Sequence, residues 1–245
     1  MNQRIKTRSV FRRFSSAAVL ACATAVSVSA WCLEPYPRVC TEFYDSDAVF
    51  TGTVVGVRAV KSGGRFIEGW YYRMKVSESF RGPSGPFVEV YTENASARYP
   101  LEKGRKYLLF AGDYTGVLRI SCCGNSGYIE DSAEAIRQIE EIKKTKSGGE
   151  IAGEIRGLDG EFEGARIIAV GDKQTYETKV DSQNWFHMKV PDGTYRLHAE
   201  APGRSFVPFD LTYDNPDHIV VQPGGCPQME FMLEERANYP RRPAR

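Results

Sequence analysis

Apolar and polar side chains alternate in short runs between residues 48 and 121, and five of these runs read as strands. Ala48 to Val57 is rich in β-branched residues, and Gly52 and Gly56 interrupt one face, as glycines do where a barrel strand bends. Trp70, Tyr72, Met74 and Val76 alternate with Tyr71, Arg73, Lys75 and Ser77, a period of two that buries one face. Phe87 to Thr92, Lys106 to Ala111 and Val117 to Ser121 supply three more strands. Turn chemistry separates them at Ser62-Gly63-Gly64, Gly82-Pro83-Ser84-Gly85-Pro86 and Gly112-Asp113. The period then changes. Ile129, Ala133, Ile136, Ile139 and Ile142 follow three- and four-residue steps, with Asp131 and Glu134 placed as a capping pair. This half predicts a five-stranded OB-like Greek-key barrel with a C-terminal helix.

Lys143-Lys144-Thr145-Lys146-Ser147-Gly148-Gly149 ends the helix and reads as a link. Beyond it, short strands recur without helices. They are predicted over 151–155, 165–170, 175–180, 185–190, 194–200, 206–213, 218–221 and 229–233, with turns such as Asp181-Ser182-Gln183-Asn184 and Pro191-Asp192-Gly193 between them. Strands at this spacing predict a β-sandwich. The expected division is a barrel over 31–144, a linker over 145–149, a sandwich over 150–235 and a disordered tail over 236–245.

The N-terminus adds a compartment. Residues 1–16 hold five basic residues and no acid, Ala17 to Ala30 is small and apolar, and Val28-Ser29-Ala30 offers small residues for cleavage. This is the pattern of a secretory signal peptide over 1–30, and the apolar run is too short for a transmembrane anchor. Val19-Leu20-Ala21-Cys22 is a poorer match to a lipidation signal. The full chain has 32 basic and 31 acidic residues; removal of the leader leaves 27 against 31, a formal net charge of −4. Such a balance gives no electrostatic case for nucleic acid.

Five cysteines follow the leader. Cys32, Cys40, Cys122 and Cys123 are the expected disulfide partners, the first two tied to the last two in an order the sequence leaves open, with Cys226 left over. Loops of roughly 80–90 residues closed in this way would each stabilise by about 4 kcal/mol. No C-x-x-C spacing is present and no histidine precedes His187, so no metal site and no cofactor are expected. His187 and His198 flank the Pro191-Asp192-Gly193 turn on neighbouring predicted strands, the one place where a metal pair is conceivable; exposed strand histidines are the plainer reading. Within Trp70-Tyr71-Tyr72, alternation sends Trp70 and Tyr72 to one face, as core, and Tyr71 to the other. No His-Asp-Ser or Cys-His constellation occurs in the first half, which holds most of the thiols, and no enzyme is expected.

Two resemblances sharpen the function. Cys40-Thr-Glu-Phe-Tyr-Asp-Ser-Asp47-Ala48-Val49-Phe50-Thr-Gly52-Thr-Val54, then Phe80-Arg-Gly82, Gly104-Arg-Lys-Tyr107-Leu108-Leu109-Phe110-Ala111 and Leu118-Arg-Ile-Ser-Cys122, resemble bacterial domains similar to tissue inhibitors of metalloproteinases. The resemblance spans about 32–144 and implies a netrin-like barrel. It also implies a protease-contact edge at Trp31, Cys32 and Leu33. In the animal inhibitors a terminal cysteine chelates the protease zinc, whereas here Trp31 precedes Cys32 if cleavage follows Ala30. Ala97-Arg98 stands where that family has Cys-Gly. Over about 150–235, Ile151-Ala-Gly153-Glu-Ile155, Gly164-Ala165-Arg-Ile167, Val180-Asp181-Ser-Gln-Asn184-Trp-Phe186, Val190-Pro191-Asp192-Gly193-Thr-Tyr195 and Ala201-Pro202-Gly203 resemble carboxypeptidase regulatory-like domains, transthyretin-like sandwiches that serve as accessory modules. Asn184 replaces the glycine usual there and tolerates the left-handed backbone. The expected protein is an exported, noncatalytic binding or structural component of the cell envelope, secreted or periplasmic, with a protein partner. The alternatives are a metallopeptidase inhibitor, whose partner would be a metallopeptidase, and a metal-assisted enzyme.

Overall fold

A computed structural model describes residue 32 and residues 36–64, 66–95, 98–209 and 215–237. The expected signal peptide, its cleavage site, Cys22, Trp31, Leu33 and most of the expected tail lie outside the described residues. A short helix α1 (Val39–Asp45) opens the described fold. Five strands close on each other: β1 (Ala48–Ser62), β2 (Phe66–Arg81), β3 (Phe87–Glu93), β4 (Lys106–Asp113) and β5 (Leu118–Ile120). Their order is β1-β2-β3-β5-β4, and β4 pairs back onto β1, which completes the barrel. The β3–β5 pairing is parallel and the others are antiparallel. This is the mixed five-stranded barrel expected from the alternation. A two-residue strand β6 (Gly127–Tyr128) and a 3₁₀ turn (Ile129–Asp131) lead into α2 (Ala133–Lys144).

The run Tyr107-Leu108-Leu109-Phe110-Ala111 is continuous rather than alternating because both faces of β4 are covered. Tyr107, Leu109 and Ala111 join Phe50, Tyr72, Met74 and Val90 inside the barrel. Leu108 and Phe110 face outward onto Val39 and Phe43 of α1 and Ile139 and Ile142 of α2. The isoleucine stripe thus serves to seal β1 and β4 from outside. Trp70 packs against the barrel core and Tyr72 is buried, as the alternation predicts. Ser132 stands at the N-terminus of α2 without a side-chain cap, and Glu134 binds Arg137 and Gln138, so the expected Asp131–Glu134 capping pair does not form.

The remaining strands are β7 (Gly149–Ile155), β8 (Arg166–Gly171), β9 (Thr175–Lys179), β10 (Trp185–Val190), β11 (Gly193–Glu200), β12 (Phe206–Pro208), β13 (Ile219–Val221) and β14 (Gln228–Leu233), followed by one helical turn, α3 (Glu234–Ala237). They form two four-stranded sheets, β10-β7-β14-β12 and β13-β11-β8-β9. One apolar cluster draws on both sheets, with Ile151, Phe186, Met229 and Phe231 from the first and Ile167, Leu197, Ile219 and Tyr195 from the second, as in a sandwich. Asn184 is left-handed, with φ 65°, as its place in the turn requires. Its buried amide is satisfied, the oxygen accepting the Phe162 N–H at 3.0 Å and the nitrogen donating to the Leu158 carbonyl at 2.7 Å.

Candidate functional site

The two halves meet along a seam built from α1 and β14. Cys40 on α1 is bonded to Cys226, just before β14, across 186 residues of sequence. Beside the disulfide the Thr41 hydroxyl donates to the Cys226 carbonyl at 2.6 Å. The Arg38 backbone N–H donates to Gln228 Oε1 at 2.6 Å, and the Tyr44 hydroxyl donates to the Pro223 carbonyl. Arg38 reaches further and donates to Glu150 Oε1 at 2.8 Å, where His187 Nδ1 also lies at 2.7 Å. Burial pushes the Glu150 carboxyl up, but hydrogen bonds from Arg38 and His187 outweigh it and hold the group below its ordinary value. A carboxyl with a depressed folded value adds stability above its unfolded value of 4.5 and loses it as the pH falls through the folded value. Acidification below about pH 4.5 is therefore expected to weaken the seam. Hydrogen exchange across α1 and β14 in the wild type, set against Glu150→Gln, measures this; an equal acid response in the two proteins refutes it.

The cysteine pairing corrects the expectation in two places. Cys226 is the partner of Cys40, and Cys122 is the free thiol among the described residues, while Cys32 bonds Cys123. Cys122 and Cys123 lie in a bend that brings both sulfurs near Cys32, but a sulfur forms one disulfide bond and Cys123 takes it. Helix α1, which carries no side-chain cap to announce it, turns Cys40 toward β14. The Cys122 sulfur lies 3.4 Å from that of Cys123. All three sulfurs of this cluster fall within 4.8 Å of one another, but two are bonded, which leaves one thiol where a soft metal would need several. The Glu42 carboxylate fixes the loop that bears them, accepting the Asn125 N–H and side-chain amide; burial, only partly offset by Asn125, raises its value. Of the expected protease-contact edge, Cys32 alone is described.

His187 and His198 do not come together. The Pro191-Asp192-Gly193 turn carries the chain from one sheet to the other, so β10 pairs with β7 and β11 with β8 and β13. Both histidines are exposed on strands whose alternate residues are buried in the shared core, and they therefore face out of opposite sheets. Each has its own carboxylate, Glu150 for His187 and Glu200 for His198. The proposed metal pair is removed on these grounds.

A third feature lies on the outside of the barrel. Arg58, Tyr71, Tyr91 and Arg119 stand in cross-strand register over β1, β2, β3 and β5. The Arg58 guanidinium carbon is 4.5 Å from the Tyr71 ring centroid, and the Tyr71 and Tyr91 rings are 5.1 Å apart. Arg119 lies 5.3 Å over Tyr91 and 4.9 Å over Tyr114. One row over, Arg73 sits 4.4 Å above Phe87. Tyr91 lies flat because Gly69 has no side chain; a Cβ there would come within 2.4 Å of the Tyr91 hydroxyl. That hydroxyl donates to the Glu68 carbonyl at 3.2 Å. Alternation places Tyr71 outside, but the row itself depends on the register of four strands and carries no sequence signal.

Fold and site together define a mainly β, disulfide-bonded protein made of a five-stranded barrel with a following helix and two further four-stranded sheets. No family model matches the chain, and no curated protein matches it.

Proposed function

We propose that the protein is an exported, noncatalytic binding component of the cell envelope, in which a netrin-like barrel and a carboxypeptidase regulatory-like sandwich are presented as one unit. The Cys40–Cys226 bond carries this reading. Two disulfides suit an oxidising compartment, and a cross-link between the halves fixes the surfaces each presents. Among the described residues no helix is long and apolar enough to cross a membrane. The inhibitor-like motifs over 32–144 support the barrel's kinship, and the motifs over 150–235 support an accessory role for the sandwich.

The experiment has two readouts. A non-reducing peptide map of the protein recovered from outside the cytoplasm is expected to give Cys32–Cys123, Cys40–Cys226 and a single alkylatable thiol at Cys122. Immobilised oxidised protein is expected to retain a defined component of envelope extracts. Recovery of all five thiols free, or of no retained component, overturns the proposal.

A further inference from the structure

We propose that the outer face of β1, β2 and β3 binds an acidic polysaccharide whose charges are sparse, a uronate-bearing glycan rather than a densely charged polymer. The ligand class rests on the binding role proposed above, but the surface stands on its own geometry. Arg58 and Arg73 are held over rings, and no carboxylate among the described residues lies within 4.0 Å of them or of Lys75. In the register Arg58 faces Tyr71 and Gly56 faces Arg73, so the two arginines are diagonal neighbours, and Lys75 follows Arg73 on the same face. A guanidinium stacked on an aromatic ring keeps its N–H edge outward and loses little further freedom when it grips an anion. The site is thus pre-ordered for carboxylates.

Three considerations select the glycan. First, β1 pairs with β4 only over Ala48–Thr53, so a peptide adding as a strand would take the open edge of β1 beyond that stretch, whereas Arg73, Lys75 and the rings of Tyr71, Tyr91 and Phe87 stand on β2 and β3, away from that edge. Second, the surface is a run of planar groups. Tyr71, Tyr91 and Phe87 lie beside the guanidinium planes, and flat apolar faces with polar edges suit a sugar ring. Third, the charge is dilute. Glu89 stands opposite Arg73, and Glu93 neutralises Arg119. Nucleic acid, with an anion at every residue, would meet these carboxylates along with the three free cations. A polymer charged on every second sugar would not need to.

The test uses the full oxidised protein and isothermal titration. The probes are a hyaluronan octasaccharide (uronate on every second sugar), a neutral dextran oligomer, oligoglutamate and an oligothymidylate. The hyaluronan oligomer is expected to bind, and the double variant Arg58→Gln/Arg73→Gln to bind it about tenfold more weakly. Affinity is also expected to fall as salt rises from about 50 to 300 mM. Arg166→Gln, on the sandwich, where Arg166 already pairs with Glu177 and Glu200, is expected to leave affinity unchanged. All three substituted side chains are exposed, and each variant is checked by its thermal transition and disulfide map. Absence of hyaluronan binding by the wild type, equal affinity for dextran, or an unaltered double variant overturns the proposal. Tighter binding of oligoglutamate or oligothymidylate overturns the choice of a glycan. If hyaluronan fails while the immobilised wild type still retains envelope material, the general binding role stands and this surface assignment falls.

Discussion

Replacement of both Cys40 and Cys226 by serine is expected to lower the stability of the full chain by up to about 5 kcal/mol. The bond closes 186 residues, and the loss of loop entropy from the denatured chain grows only with the logarithm of that length. The Cys32–Cys123 bond provides a shortcut of roughly 110 residues through the same loop, which leaves the figure near 5 kcal/mol. Equilibrium unfolding in urea without reductant measures it. Hydrogen exchange separates two origins of the loss, since α1 and the start of β14 should lose protection before the two cores do. The Thr41, Arg38 and Gln228 hydrogen bonds remain in the variant and keep the halves in contact at low denaturant. A midpoint within error of the wild type, together with unchanged protection of α1, would show that the cross-link contributes nothing to folding.

Gly153→Ala carries the second large effect, a loss of about 3 kcal/mol or more. Gly153 is in the middle of β7, opposite Phe186 on β10 and Met229 on β14. A Cβ there would stand 1.8 Å from the Met229 carbonyl oxygen and 2.7 Å from the tip of the Phe186 ring. The ring can move, but the carbonyl belongs to the backbone of a paired strand. The sheet must part at its centre to admit one methyl group. Shortening the ring with Phe186→Leu is therefore not expected to rescue the variant. The thermal transition of the two proteins is the check, and an alanine variant within about 1 kcal/mol of the wild type would refute the close approach.

Gly153 also marks what could be read from the chain. It sits in a motif that predicted a sandwich strand, and the strand is there. β10 begins and ends where its alternation does, because Phe186, Met188 and Val190 point to one core and the residues between them to solvent. The isoleucine stripe located α2 for the same reason. Local pattern failed where the decisive partner was remote. Helix α1 is only seven residues long, includes β-branched Val39 and Thr41, and has no cap, so its helicity comes from packing against α2 and β4. With α1 missed, Cys40 had no reason to turn from Cys122 or Cys123 toward Cys226. The Pro191-Asp192-Gly193 turn announces a reversal equally well for a hairpin or for a crossing between sheets, and only the core distinguishes them. The row from Arg58 to Arg119 joins positions that lie far apart in sequence, and a slip of one residue in any strand would dissolve it.

The link between Cys40 and Cys226 imposes a schedule on biosynthesis. Polypeptides are made from the N-terminus, so Cys40 exists alongside Cys32, Cys122 and Cys123 well before its native partner is added. Throughout that interval every available sulfur is a wrong one for it. Any bond Cys40 forms early must later be exchanged, and the last covalent step waits until nearly the whole chain has been delivered.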